Sequence, residues 1–477
     1  MDLISPDTGT LGVMLPTSPL HTLLLEPLPG DPTPAFELLI MTSGNRRSEP
    51  ICIANDEARQ RLGDIADFLL CHDREVNLRN DDSLCVIQRG APQVWRRARG
   101  YAPNAVRLKH PLTRCVLAMG AEIKNTVALG FDDKVVISPH IGDLETPKAV
   151  EGLERVVESL PEFLDRTPQV VAVDLHPDMH STSVGRTVAA KLAVPVVEVQ
   201  HHHAHAAAAL AEHGCDSGLA LVFDGTGLGT DGTIWGAELL AVTPTGYARL
   251  ATFAGAPLPG GDAAVREPAR QVVARWLAAG VAVPPTRLES LGVTAREADI
   301  IAQQYRQGIN CPTTHAAGRI FDAFSALLGF APRFITYEGQ PAIRLEAAAR
   351  RHGTGTVPEL SFDAKESDGM LQIDWSKAFA LLADPHAIQG DETAWAMAVH
   401  RAIAAAASAM VEYGLSKSSE RVVALSGGVF MNRILTDLVV ADLEKRGLEV
   451  LIHRQTPPND GCISLGQAVV AGRPEGF

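Results

Sequence analysis

Three stretches of this chain share one plan, and that plan narrows what the rest can fold into. In "RCVLAMGAEIKNTVALG" (114–130) and in "SGLALVFDGTGLGTDGTIWGAELL" (217–240), an apolar run of strand length breaks at a glycine turn and returns as a second apolar run. In "ERVVALSGGVFMNRILTDLV" (420–439), the strand breaks at Gly427-Gly428 and continues as a helix. Glycine turns of this kind let backbone N–H groups come close to the phosphates of a nucleotide, and a lysine such as Lys124 adds a point charge. Between them lie long helical patterns with alanine-rich faces suited to close packing, such as "AWAMAVHRAIAAAASAMVEYG".

Two distant strand–glycine–strand hairpins and one strand–glycine–helix, in that order, are the layout of a duplicated, actin-like (ASKHA, RNase H-like) nucleotide-binding fold of the α/β class. Upstream of it, the apolar runs "TLLLEPL" and "FELLIMTSGN" read as strands, and "DEARQRLGDIADFLL" reads as a polar helix, which together predict a separate α/β unit. The boundary falls between Gly100 and Pro111, where "YAPNAVRLKHP" has neither period. At ~150 residues per domain, the length of 477 residues agrees with two to three folding units.

A formal net charge of −14 argues against a broad nucleic-acid footprint. The local exception is "RGAPQVWRRARGYAPNAVRLKH" (89–110), six Lys/Arg with no acid, which fits either a phosphate-holding wall or a solvated linker. Seven cysteines without a C-x-x-C pair speak against a disulfide framework and against a cysteine-based zinc module. No run reaches the ~18 apolar residues of a membrane span, and "MDLISPDTGTLGVMLP" has no signal-peptide pattern, so the expectation is a cytoplasmic protein without a membrane partner.

"VQHHHAHAAAALAEHG" (199–214) sets four histidines before an alanine-rich helix. His201 and His205, four residues apart, share a helical face and can meet one ion, whereas His202 and His203 point elsewhere. Neutral imidazoles suit Zn²⁺ or Fe²⁺, and a carboxylate is needed to complete the site. The candidates are Asp224, after the strand "LALVF", and Asp460, in "TPPNDG". The plain alternative, histidines that cap a helix and pack against the core, suits one imidazole better than four, because burying unpaired imidazoles is costly.

Taken together, "VQHHHAHAAAAL", "VFDGTGLGTDGTIWGAELL", "YEGQPAIRLE", "LSGGVFMNRIL" and "TPPNDGCISLGQA" resemble the HypF family, the carbamoyltransferases that mature [NiFe] hydrogenases. "MTSGNRRSEPI", "CHDREVNLRNDDSLCV" and "WRRARGYAP" resemble the latter part of that family's YrdC-like domain. The resemblance implies a partial YrdC-like domain over 1–104 and, over 112–477, a transferase domain of two actin-like lobes related to the tRNA threonylcarbamoyl-transferase. It implies that carbamoyl phosphate and ATP give carbamoyl-adenylate, whose carbamoyl group passes to the C-terminal cysteine of HypE and later becomes a cyanide ligand of the hydrogenase iron. Carried over by motif, His201, His205, Asp224 and Asp460 would hold a divalent metal, iron or zinc, with the two histidines and Lys124 as catalytic residues. Lys124, Gly225, Gly227, Gly427, Gly428 and Asn432 would line the nucleotide pocket. In the first domain, Ser43, Asn45, Arg74, Arg79, Ser83 and Arg97 would grip carbamoyl-adenylate, which makes the basic stretch a ligand wall.

The chain departs from the family pattern in lacking the acylphosphatase domain, the four-cysteine zinc modules and the front half of the YrdC-like domain, so it is expected to transfer from supplied adenylate without making it. His315 with two alanines before "GR", and Cys462 where glycine is expected, alter the surroundings of the site. The alternatives are an O-carbamoyltransferase acting on a small-molecule hydroxyl, and a non-catalytic remnant that binds nucleotide or HypE.

Overall fold

The computed structural model describes residues 4–27, 29–30, 36–47, 49–243 and 246–473. The chain divides into two compact units, Met1–Asn77 and Leu78–Phe477.

In the smaller unit, Pro19 at the first turn and the Ser18 hydroxyl, which accepts from His21 N at 3.3 Å, start helix α1 (Pro19–Leu25). Helix α2 (Asn55–Leu62) is fastened by Arg61, which pairs with Glu49 and Glu57. The expected strand "TLLLEPL" therefore begins inside a helix, and its Leu28 lies outside the described residues. "FELLIMTSGN" forms no strand, because a strand exists only by pairing and no described residue of this unit offers an edge. None of the unit's described residues is buried, and Leu38, Ile40 and Phe68 are 75%, 76% and 93% exposed.

The larger unit opens with an antiparallel hairpin, β1 (Leu84–Gln88) and β2 (Ala91–Arg96). A first lobe follows, with β3 (Ala105–Arg107), β4 (Val116–Ala118), β5 (Ala128–Phe131), β6 (Lys134–Ile137), α3 (Pro147–Phe163), β7 (Val170–Asp174), α4 (His180–Leu192), β8 (Val196–Val199) and α5 (His201–Glu212). Its six strands lie in the order β3-β6-β5-β4-β7-β8, with β4, β5 and β6 antiparallel and β7 and β8 parallel to β4.

The second lobe repeats this with β9 (Gly218–Phe223), β10 (Ala237–Thr243) and β11 (Gly246–Phe253), followed by a long helical insertion. The insertion carries β12 (Ala256–Pro257), α6 (Asp262–Arg266), α7 (Pro268–Ala278), α8 (Pro285–Ser290), α9 (Ala295–Gln307), β13 (Thr313–Thr314), α10 (Ala317–Leu327), α11 (Gln340–Arg351), β14 (Asp363–Ser367), β15 (Met370–Asp374) and α12 (Ser376–Leu381), after which α13 (Glu392–Lys417) takes the place of α3. The lobe then closes with β16 (Val422–Ser426), α14 (Arg433–Lys445), β17 (Glu449–Ile452) and α15 (Ile463–Ala471). The order β11-β10-β9-β16-β17 matches β6-β5-β4-β7-β8 strand for strand, with β10 antiparallel to its neighbours and β16 parallel to β9. This is the duplicated, actin-like, RNase H-like α/β fold that the glycine-turn pattern predicts.

The equivalent helices α5 and α15 meet at the centre. All twelve residues of α5 are buried, with Ala206, Ala209 and Leu210 against Ala220, Val222 and Leu240 of the second sheet. Ala208 and Ala211 face the first lobe and the α15 residues Leu465 and Ala468. A methyl placed on Gly466 would stand 1.8 Å from Ala204 O, so only glycine allows this crossing. Helix α13 is long and apolar enough to cross a membrane, but 78% of its apolar window is buried in the second lobe. The β1–β2 hairpin is fastened to that lobe by Gln88 Nε2 donating to Asp437 Oδ1 at 2.8 Å and by Val94 N donating to Arg454 O at 3.3 Å.

Candidate metal centre

Strand β8 ends at Val199, and Gln200 starts α5 by accepting from His203 N at 2.9 Å through its side-chain oxygen. The first turn and a half of α5 then presents His201 and His205 on one side, with ring centroids 5.0 Å apart. Asp224 follows β9, and Asp460 opens the short 3₁₀ turn that leads into α15. One ligand atom from each of His201, His205, Asp224 and Asp460 lies within 4.8 Å of the others, and all four residues are buried. From His201 Nε2 it is 3.4 Å to Asp224 Oδ2 and 3.8 Å to Asp460 Oδ1, and from His205 Nε2 it is 3.7 Å to each of the same atoms.

Neither Nε2 has a hydrogen-bond partner, whereas both Nδ1 atoms do. His201 Nδ1 donates to Asp174 Oδ2 at 2.8 Å, and His205 Nδ1 faces Ser426 Oγ at 3.1 Å and Cys462 Sγ at 3.3 Å. Imidazoles held from behind with open Nε2 lone pairs, opposite two carboxylates, are the donor set of a divalent-metal site. In the metal-free chain, burial pulls the His201 ring down, but Asp460, Asp174 and Asp224 outweigh it and hold it up to about 10. Burial likewise opposes charge on Asp224, yet the two imidazoles hold its carboxyl well below the usual range. A bound cation would displace those ring protons. His202 and His203 turn away: His202 Nδ1 lies 3.1 Å from Gln200 Nε2, and the His203 ring packs on Tyr247 with centroids 4.8 Å apart.

The glycine loops border this cluster. Gly428 N donates to Asp224 Oδ1 at 3.1 Å. Gly427 has φ +95°, and a Cβ there would stand 2.2 Å from Phe223 O. A Cβ on Gly227 would meet His202 Cε1 at 2.5 Å, and one on Gly225 would reach Arg319 Nη2 at 3.5 Å. Lys124, at φ +48° in the β4–β5 turn, reaches from the first lobe to pair with Glu338 of the second. Burial lowers the Lys124 ammonium, but Glu338 and Asp460 keep it above its ordinary value. Asn432, beside Gly427 and Gly428, caps α14 with its Oδ1, which accepts from Leu435 N at 3.0 Å, and its Nδ2 donates to His400 Nε2 at 2.8 Å.

The six residues expected to grip carbamoyl-adenylate are divided between the two compact units. In the smaller one, Ser43 and Arg74 are exposed, and Asn45 is half-buried with its Nδ2 donating to Arg46 O at 2.9 Å. In the larger one, Arg79 is half-buried, and Ser83 Oγ donates to Arg99 O at 2.9 Å. Arg97 is buried with its guanidinium donating to Ile137 O, Tyr101 O and Asn104 O at 3.3, 3.0 and 2.6 Å. Sequence reasoning missed Asp174, Glu338, Ser426, His453 and Glu212. Asp174 ends a buried strand in the same way that Asp224 follows one, so the rule that found one could have found the other.

The fold and the buried His₂Asp₂ cluster define the class: a two-lobed Kae1-like domain with a site able to hold a metal. Residues 111–212 match the HypF Kae1-like domain, and 220–467 match the model described as carbamoyltransferase, Kae1-like domain, second subdomain. Residues 1–98 match the Sua5/YciO/YrdC model, described as telomere recombination. Carbamoyltransferase HypF2 of Cupriavidus necator is 40% identical over 98% of this chain and 61% of its own length. Carbamoyltransferase HypF of Rhodobacter capsulatus is 38% identical over the same shares, 98% and 61%. A C. necator HypF homolog is 39% identical over 75% of this chain and 91% of its own length. The crystal structure of full-length HypF in the phosphate- and nucleotide-bound form superposes with a TM-score of 0.87 at 34% identity, covering 98% of this chain and 59% of that one. The chain belongs to the HypF carbamoyltransferase family, and it spans about three fifths of the length of the first curated relatives it matches.

Proposed function

We propose that this chain transfers a carbamoyl group from carbamoyl-adenylate, itself made from carbamoyl phosphate and ATP, to the C-terminal cysteine thiol of HypE. The single observation that carries the reading is the pair of buried, unpartnered imidazole nitrogens of His201 and His205 opposite Asp224 and Asp460, in a chain of this family. These four residues would hold one divalent ion, iron or zinc, which supplies Lewis-acid polarisation of the carbamoyl and phosphate oxygens when bound. Gly225, Gly227, Gly427 and Gly428 would line the nucleotide pocket, and Lys124 would contribute a positive charge once it is released from Glu338. Asn432, at the start of α14, would line the same pocket. In the transfer, the C–S bond to the cysteine forms as the C–O bond to the adenylate phosphate breaks, AMP leaves and the thiol gives up its proton.

On this reading 1–104 is a YrdC-like region whose Ser43, Asn45, Arg74, Arg79, Ser83 and Arg97 would serve the adenylate, and 112–477 is the transferase domain. The test is mass spectrometry of a HypE tail peptide. The expected result is a carbamoyl adduct on the cysteine when carbamoyl-adenylate is supplied. No adduct from supplied carbamoyl-adenylate with metal-loaded protein would overturn the transferase reading.

A further inference from the structure

Glu212 ends α5 and takes no part in the metal cluster or the glycine loops, yet it is buried and densely bonded. Its Oε1 accepts from Arg454 N and Gln455 N at 2.5 Å each. Its Oε2 accepts from Thr456 Oγ1 at 2.6 Å, from Thr456 N at 3.3 Å and from His453 Nδ1 at 3.1 Å. On the other side of its ring, His453 Nε2 lies 2.9 Å from Ser426 Oγ. Ser426 Oγ in turn lies 3.1 Å from His205 Nδ1, and Cys462 Sγ is 3.3 Å from that same nitrogen.

The polarity of this row follows from its far end. A carboxylate only accepts, so His453 carries its proton on Nδ1, and its neutral Nε2 accepts from the Ser426 hydroxyl. The serine oxygen is then free to accept from His205, which places the His205 proton on Nδ1. The remaining lone pair, on Nε2, points at Asp224 and Asp460. Burial lowers the His453 ring, while Cys462 and Glu212 hold it up to about 9. When it is cationic, its Nε2–H donates to Ser426, whose second lone pair still accepts from His205.

We propose that Glu212, His453 and Ser426 form a buried relay that fixes His205 in its metal-ligating tautomer, with Cys462 as a second acceptor at the same ring nitrogen. The relay rests on the metal reading above. It does for His205 what Asp174 does for His201 in a single step. These are positioning residues. Without them the His205 proton can move to Nε2 and bond to Asp224 or Asp460, which closes the cluster on itself.

The experiment is a cobalt(II) titration of the full chain against a competing chelator, paired with ¹⁵N NMR of histidine-labelled, zinc-loaded protein. Ser426→Ala should weaken cobalt binding about tenfold, and Ser426→Ala with Cys462→Ala up to about a hundredfold. The His205 signals should leave the pattern of protonated Nδ1 and metal-bound Nε2. Should the double variant unfold, His453→Gln, which keeps both contacts to His205 and breaks the link to Glu212, carries the comparison and should weaken binding severalfold. Folded variants that bind cobalt within twofold of the parent and keep its NMR pattern would overturn the relay. His205→Ala in the same titration separates the two ideas: if it too binds like the parent, the metal reading has failed.

Discussion

His201 and His205 leave the same helix one turn apart, yet the chain supports them differently, one through a carboxylate and one through a hydroxyl and a thiol. Their shared face was legible in the four-residue spacing, and Asp224 in its place after a strand. Glu212 and His453 were not legible, because 241 positions separate them and only the closing of the second lobe brings them together. Glu212 offers a test in the metal-free protein. Burial raises its carboxyl, but His453 and Thr456 bring it down to about 2 from 4.5, worth on the order of 3 kcal/mol. A depressed folded-state value stabilises above the unfolded value and is lost as pH falls. Urea unfolding midpoints should therefore drop between pH 4.5 and about 2, and Glu212→Gln should flatten that drop; an unchanged profile in the variant would refute the assignment. Gly428 offers a second test. A Cβ there would stand 3.1 Å from Asp224 Oδ1, so Gly428→Val should push on both the carboxylate and the glycine loop proposed to meet the nucleotide. Calorimetry with an ATP analogue should show at least a tenfold loss for this variant and none for exposed Lys365→Ala; equal affinities would place the nucleotide elsewhere.

Among the elements, those flanking glycine turns in the larger unit were readable, since apolar run, turn and return are local signals. "TLLLEPL" and "FELLIMTSGN" carry the same apolar signal but not the information about a partner, and strand formation depends on the partner. Helix α5 was also readable, from its alanines, but its crossing with α15 was not. Gly466 is the point where that crossing admits no methyl group. Gly466→Ala must separate the helices or bend one of them, with a loss of several kcal/mol, as for overpacked core sites. Chemical denaturation should show that loss, accompanied by weaker metal binding because α5 carries two of the four candidate ligands. A variant as stable as the parent would mean that the helices cross more loosely.

At the scale of the whole chain, the two lobes share one plan and meet at α5 and α15, with the candidate metal centre at the start of both helices. The order of the three glycine-turn stretches announced this duplication. The long insertion between β11 and α13 did not show itself as one, because its helices have the same periodicity as those of the core. The smaller unit stands apart in having no buried residue among those described, and that contrast becomes a difference in rates. Amides there have little to open before they exchange with solvent, while those of β9 and α5 wait for events close to global unfolding. A hydrogen-exchange time course read by mass spectrometry should label the described residues of the first unit early and the second lobe last; slow exchange at α1 and α2 would contradict it. A protease that samples open states would follow the same timetable, trimming the chain from its first unit and leaving a long-lived product that begins close to Leu78.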